Sequence, residues 1–278
     1  MIAGGSARWL DVSAERFPGW ISSFARRHGD SVPLLTAPAD GAVAFTAPDG
    51  AVAECHPPYP ESFALPPGIV SPDEIAAALA AHARTPRTVG VLLVRLGGYA
   101  AGVFTGYPPA LADAKVGSRL VHGRSAAGGW SQHRFARRRE KQANEALEAA
   151  ADTAVAVFGR WTSGITATGA PARASSAPAH HPAARGTARG GAGGTRSGSG
   201  GTATGAGAAA ARGPALDAVV LGGDKRAVAE LRDDPRLAPY LALATERFLT
   251  VPDPKRTVLE GTPKLFTAVR IRITEPAG

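Results

Sequence analysis

Between Gly123 and Lys141 the chain reads GRSAAGGWSQHRFARRREK. Its first seven residues are small nearly throughout, so the backbone there can approach another surface closely. The stretch then opens a helix on which Arg134, Arg137, Arg138 and Lys141 fall opposite the apolar face. Gln132 stands at the junction. Its amide carries both a donor and an acceptor and does not titrate, so it can orient a water molecule without changing charge. A small-residue tip on a cationic stem suits a narrow passage lined with phosphate. In such a passage Arg124, Arg134, Arg137, Arg138 and Lys141 would meet nucleic-acid backbone, and Trp130 and Ser131 would be loop contacts.

Other chemistries fit the residues less well. The single cysteine, Cys55, has no C-x-x-C partner and can form no internal disulfide, so Cys55-His56 reads as structural, and neither metal nor cofactor is expected. Gly129-Trp130-Ser131-Gln132-His133 comes near the G-x-S-x-G nucleophile elbow but lacks its final glycine. The only His that follow an Asp in the order a triad would need, His180 and His181, lie in a low-complexity stretch and make no convincing third member. Leu221-Gly222-Gly223-Asp224 does not satisfy G-x-G-x-x-G and reads as a strand-to-helix turn.

The charge is segregated. The net charge is +8 and the isoelectric point about 10.2. Residues 113–141 hold eight Lys or Arg against Asp113 and Glu140, a surplus of +6. Residues 163–215 hold five Arg and no acid, which leaves −3 for the rest of the chain. Only the first basic segment lies in a patterned stretch, so only it can be a shaped surface for a polyanion. No apolar run is long enough to span a bilayer, and MIAGGSARWLD lacks the layout of a secretory signal. A cytoplasmic protein with no membrane role is expected.

These residues must be held by a scaffold, and the periodicity predicts one. AERFPGWISSFARRHG places Phe17, Trp20, Ile21 and Phe24 at helical spacing. VPLLTA, GAVAFTA and GAVAECH follow as short strands separated by Ala-Asp-Gly and Pro-Asp-Gly turns. Residues 1–58 thus read as a small helix-plus-meander unit, and 59–88 as a connector with a helix over 72–84. A second unit over 89–278 begins with a hairpin, 89–96 and 99–106, turned at Gly97-Gly98. A third strand is expected over 115–122 and a long helix over 131–158. The face of that helix runs through Phe135, Ala143, Ala146, Leu147, Ala150, Ala154, Val157 and Phe158. LDAVVLGG reads as a buried strand, Asp224 as the N-cap of the next helix, and 236–244 as a further helix. Strands near 245–250 and 265–273 complete this unit. Residues 163–213 are too poor in large apolar side chains to offset their ordering entropy and read as a disordered insertion. The fold class is α/β, a mixed sheet flanked by helices, with a small α+β N-terminal unit.

From Val89 to about Ile273 the chain resembles the catalytic middle domain of eukaryotic and archaeal class-1 peptide release factors. There a Gly-Gly-Gln loop precedes a helix opening close to Arg-Phe-Ala-Arg. Arg134-Phe135-Ala136-Arg137 matches that opening, and LDAVVLGGD matches the strand after the long helix. The closer resemblance is to the Vms-like peptidyl-tRNA hydrolases and their actinobacterial VLRF-type relatives. The resemblance implies that Gln132 is the catalytic glutamine and Gly128 and Gly129 the loop glycines. Trp130 and Ser131 stand between them, where the family's stricter members have Gly-Gly-Gln.

The activity this implies is hydrolysis of peptidyl-tRNA by a monomer on the large ribosomal subunit, with rRNA and peptidyl-tRNA as partners, in ribosome quality control or rescue. Such a factor contributes an oriented water and a backbone donor for the developing oxyanion. The alternative is a non-catalytic ribosome- or RNA-binding protein that docks through the same basic helix.

Overall fold

The computed structural model describes residues 7–30, 32–34, 41–65, 67–68, 71–95, 97–118, 131–161 and 215–276; for 32–34 and 131–139 the description is of backbone only. The expected insertion at 163–213 lies outside these residues.

Among the described residues two five-stranded sheets organise the fold. The larger carries the basic helix. Its hairpin pairs β5 (Arg87–Arg95) antiparallel with β6 (Gly98–Gly106), and β7 (Ala110–Ser118) pairs antiparallel with β6 at one edge. On the other side β8 (Ala218–Gly223) runs parallel to β5, and β9 (Ala244–Leu249) parallel to β8. The order is β7-β6-β5-β8-β9, a mixed sheet. Its central strands are apolar at nearly every position because both faces are covered. Leu92, Val94, Ala101, Val103, Val219 and Leu221 face one side, with helices α3 (Ser131–Phe158) and α4 (Lys225–Leu231) packed there. Val91, Leu93, Ala100, Phe104 and Val220 face the other, under α6 (Arg256–Glu260) and α7 (Pro263–Phe266).

Local chemistry sets the joints of this sheet. Phe158 closes α3 by lying over Gly90, where an added Cβ would stand 3.1 Å from its ring. Tyr240, in the short helix α5 (Ala238–Leu241), meets the same ring edge-on at 5.5 Å. Gly223 ends β8 at φ +103°, with the Val94 carbonyl oxygen crowding the place where a Cβ would stand, so only glycine fits. Asp224 then caps α4 as expected, accepting from the amides of Arg226 and Ala227.

The smaller sheet has the order β1 (Ala7–Val12), β10 (Val269–Thr274), β4 (Val52–His56), β3 (Val43–Thr46), β2 (Val32–Leu34), and helices α1 (Phe17–His28) and α2 (Pro72–Ala83) pack with its apolar face. Ser71 and Glu74 start α2 with a capping box. Strands β1 (Ala7–Val12), β3 (Val43–Thr46) and β4 (Val52–His56) come from the N-terminal part of the chain, as does β2 (Val32–Leu34).

Three expectations are corrected. The last strand, β10 (Val269–Thr274), does not complete the larger sheet; it lies between β1 and β4 in the smaller one. Its sequence shows why: VRIRIT buries Val269, Ile271 and Ile273 and exposes Arg270 and Arg272, which suits a sheet with one covered face. The third strand of the larger sheet begins at Ala110, five residues earlier than expected, and its description ends at Ser118. As an edge strand it is half exposed, so ALADAKVGS carries little apolar pattern. The helix expected over 236–244 is the four-residue α5.

Candidate functional site

The candidate site begins where the larger sheet ends. Ser118, the last described residue of β7, pairs with Gly98, beside the carboxyl ends of β5 and β8. The description resumes with α3 at Ser131. Arg124, Gly128, Gly129 and Trp130 lie outside the described residues. Ser131 and Gln132 form the first two backbone positions of α3, and Arg134, Arg137 and Arg138 follow within its first eight residues. Lys141 is exposed, with a loose contact of 3.9 Å to Glu145 one turn on.

Helix α3 is longer than the sheet beneath it. Going back from Phe158, the last buried residue met is Ala146; among the described residues before it, 140–145, none is buried. From Phe158 to Ala146 the helix covers about 18 Å. Phe158 lies over Gly90, which is opposite Val103, and Val103 is opposite Asp113 on β7. From Asp113 to Ser118 the strand covers about 17 Å. Ala146, the first buried residue among the described side chains of the helix, therefore stands at about the level of Ser118, the last described residue of β7. Gln132 stands a further 14 residues on, about 21 Å along the helix axis.

The packed half of α3 is fixed by two ion pairs that the sequence did not reveal. Arg160, just past the helix, donates from Nε and Nη2 to Asp113 Oδ2 on β7, both at 2.7 Å. Arg236 binds Asp152 on α3 at 2.5 Å and Asp234 at 2.7 Å. Asp234 first, and Asp152 second, raise the Arg236 pKa still further above its ordinary value. These bonds hold the helix to β7 on one side and to the segment after α4 on the other.

The charge along α3 runs against what would stabilise an isolated helix. Its first turn has no acid and its last turn no base, whereas the helix dipole favours the reverse. Bases are gathered at positions 134, 137, 138, 139 and 141, and Glu145, Glu148 and Asp152 follow. Such a layout serves an external polyanion better than it serves the helix.

Cys55 is buried in the smaller core, and burial, with Glu54 second, pushes its thiol well above the usual range, so it is inert there. No helix among the described residues is long and apolar enough to cross a membrane.

A mixed, two-sided sheet whose long helix outreaches it and opens with Ser-Gln defines a release-factor-related α/β protein. The family model described as Actinobacteria/chloroflexi VLRF1 release factor matches residues 87–192 and 200–272, and the chain belongs to that family, which places it in translation. Among solved structures, an archaeal translation termination factor, aRF1, is similar at 11% identity and a TM-score of 0.36, over 95% of this chain and 68% of that one. A structure titled only as an archaeal protein is similar at 11% identity and a TM-score of 0.25, over 92% of this chain and 64% of that one. No protein of curated function matches the chain.

Proposed function

We propose that the protein hydrolyses the ester of peptidyl-tRNA on large ribosomal subunits left stalled or split, with Gln132 as the residue that orients the attacking water. It acts as a cytoplasmic monomer, and its partners are rRNA and peptidyl-tRNA. The observation that carries this reading is the reach of α3: its backbone runs about 21 Å beyond Ala146, through a basic opening, to Gln132, its second residue. A projecting, positively charged rod with a neutral amide at its tip can enter a phosphate-lined passage and still leave the reaction without a titrating group.

The chemistry asks little of the protein. The ester is already aligned by the RNA that holds the tRNA end, so the factor supplies position and a dipole. The backbone N–H of Gln132 is the donor for the developing oxyanion, its side chain bounds the water pocket, and the terminal 2′-hydroxyl of the tRNA relays the proton. Arg124, Arg134, Arg137, Arg138 and Lys141 hold phosphate, and Gly128 and Gly129 let the loop backbone come close.

The test is single-turnover release from peptidyl-tRNA bound to isolated large subunits. Gln132→Ala should slow release about 10²–10³-fold, the scale of removing one transition-state interaction, with subunit binding unchanged. A Ser131→Ala change should be mild. Normal release from the glutamine variant would leave a docking protein without catalysis. A dead serine variant beside an active glutamine variant would turn the reading to a serine nucleophile.

A further inference from the structure

The smaller sheet has a face that its helices do not use. Helices α1 and α2 share a core with Val12, Phe45, Cys55, Ile271 and Ile273, all on the inner side. The alternate positions Trp9 on β1, Arg270 and Arg272 on β10, and Glu54 and His56 on β4 lie on the outer side, in register across three strands. Trp9 is 47% exposed, one of two large hydrophobic side chains left so among the described residues. The Arg270 guanidinium lies 4.4 Å from its ring centroid, and the His56 ring 5.2 Å away.

Beside this ring is a groove of about 230 Å³, walled by Pro57 and Pro58 and lined by Trp9, His56, Arg247 and Arg270, with Glu246 as its one acid. It is smaller than the roughly 300–1,000 Å³ of drug-sized pockets and suits one flat ring system. The charges are unequally matched. Asp11, opposite Arg270 in β1, is taken by Arg247 at 2.5 Å. Arg270 is in no ion pair among the described residues. A surface aromatic ring with an uncommitted guanidinium against it, in a base-sized groove, offers a stacking face and a phosphate contact together.

We infer that this groove binds an unpaired nucleotide of RNA, the base stacked on Trp9 and its phosphate held by Arg270. The site is separate from the tip of α3. Glu246 and Arg247 belong to β9, at the opposite edge of the larger sheet from β7, four strand spacings or about 19 Å away. It would give the protein a second hold on RNA, and two linked contacts bind more tightly than either alone. The inference does not depend on ester hydrolysis.

The test is the affinity of the full chain for a labelled eight-nucleotide oligouridylate, read by fluorescence anisotropy. The parent carries Arg134→Ala, Arg138→Ala and Lys141→Ala, so that the basic helix does not mask the groove. Trp9→Ala should weaken binding roughly 5- to 150-fold, the range for losing one stacked base, and Trp9→Tyr should restore most of it. Arg270→Ala should reduce the salt slope by about 0.7, one single-strand phosphate contact. Gln132→Ala should leave this affinity unchanged, which keeps the test apart from the catalytic one. A Trp9→Ala variant within twofold of its parent would overturn the inference. So would one that loses large-subunit binding while keeping the oligonucleotide, since the groove would then contact protein.

Discussion

From Ala146 to Phe158, helix α3 buries a continuous stripe against the larger sheet and is pinned by Arg160 to Asp113 and by Asp152 to Arg236. From Glu140 to Glu145 no residue of the same helix is fully buried, Gln142 and Ala143 being only partly covered, and its backbone runs on to Gln132. One half is scaffold and the other is reach. The helical backbone is common to both, so the difference lies in what lies beneath: Gly98 of β6 and Ser118, the last described residue of β7, stand at the level of Ala146. Core packing is densest from Ala146 on: among the described residues before it, 140–145, none is fully buried, so that stretch adds little buried area to offset its ordering entropy. That imbalance is the structural reason to look for function at positions 131–141 and for stability at 146–158.

The sharpest break between the halves should come from Phe158. Its ring fills the space that Gly90 leaves open and meets Tyr240 edge-on. Phe158→Ala should cost about 3–5 kcal/mol of stability, measured by urea unfolding. Release activity should fall only as the folded fraction falls. Gln132→Ala should do the opposite, leaving the unfolding midpoint in place while release collapses. If the two variants lost activity and stability in the same proportion, the division of α3 into scaffold and reach would be wrong.

Neutralising Arg134, Arg138 and Lys141 together tests the charged half without touching its tip. Large-subunit binding should weaken, and its salt slope should flatten by about 0.7–0.9 for each phosphate no longer neutralised. Stability should hold or rise slightly, because a base in the first turn opposes the helix dipole. An unchanged slope would mean that this face only meets solvent.

How much of this could be read from the chain depends on how local the cause is. The bounds of α3 and the Asp224 cap were legible, since 28 residues of one period and an Asp before a helix are local signals. Gln132 is a candidate on contrast alone, an amide between a stretch of small residues and a run of arginines. The place of β10 was not. VRIRIT says only that one face is buried, and which sheet offers a matching edge is decided by β1 and β4, more than 200 residues earlier. The edge strand β7 was set too late because exposure on both sides removes the alternation that marks a strand. The two ion pairs on α3 were invisible for a related reason: their partners stand 47 and 84 residues apart, and no composition signal links an Asp to an Arg at that distance.

The smallest expected effect tests how the halves communicate. Asp113 is mostly covered and Arg160 mostly exposed, at side-chain exposures of 22% and 57%, so the pair belongs with surface salt bridges worth about 0–1 kcal/mol. Asp113→Asn should therefore move the unfolding midpoint little. Its consequence for release should be larger than its consequence for stability, for a geometric reason. Gln132 lies about 40 Å along α3 from its packed end, so a tilt of about 5° at the anchored half shifts the tip by roughly 3 Å, and misplacement of about 1 Å can cost up to 10²-fold in rate. The variant should lower the single-turnover release rate severalfold with subunit affinity unchanged, because the phosphate contacts tolerate a small tilt. Reversing both charges, Asp113→Arg with Arg160→Asp, should recover most of the rate if the bond acts by aiming the helix. Recovery of stability without recovery of rate would show that the bond holds the scaffold only and that the tip finds its place on the ribosome unaided.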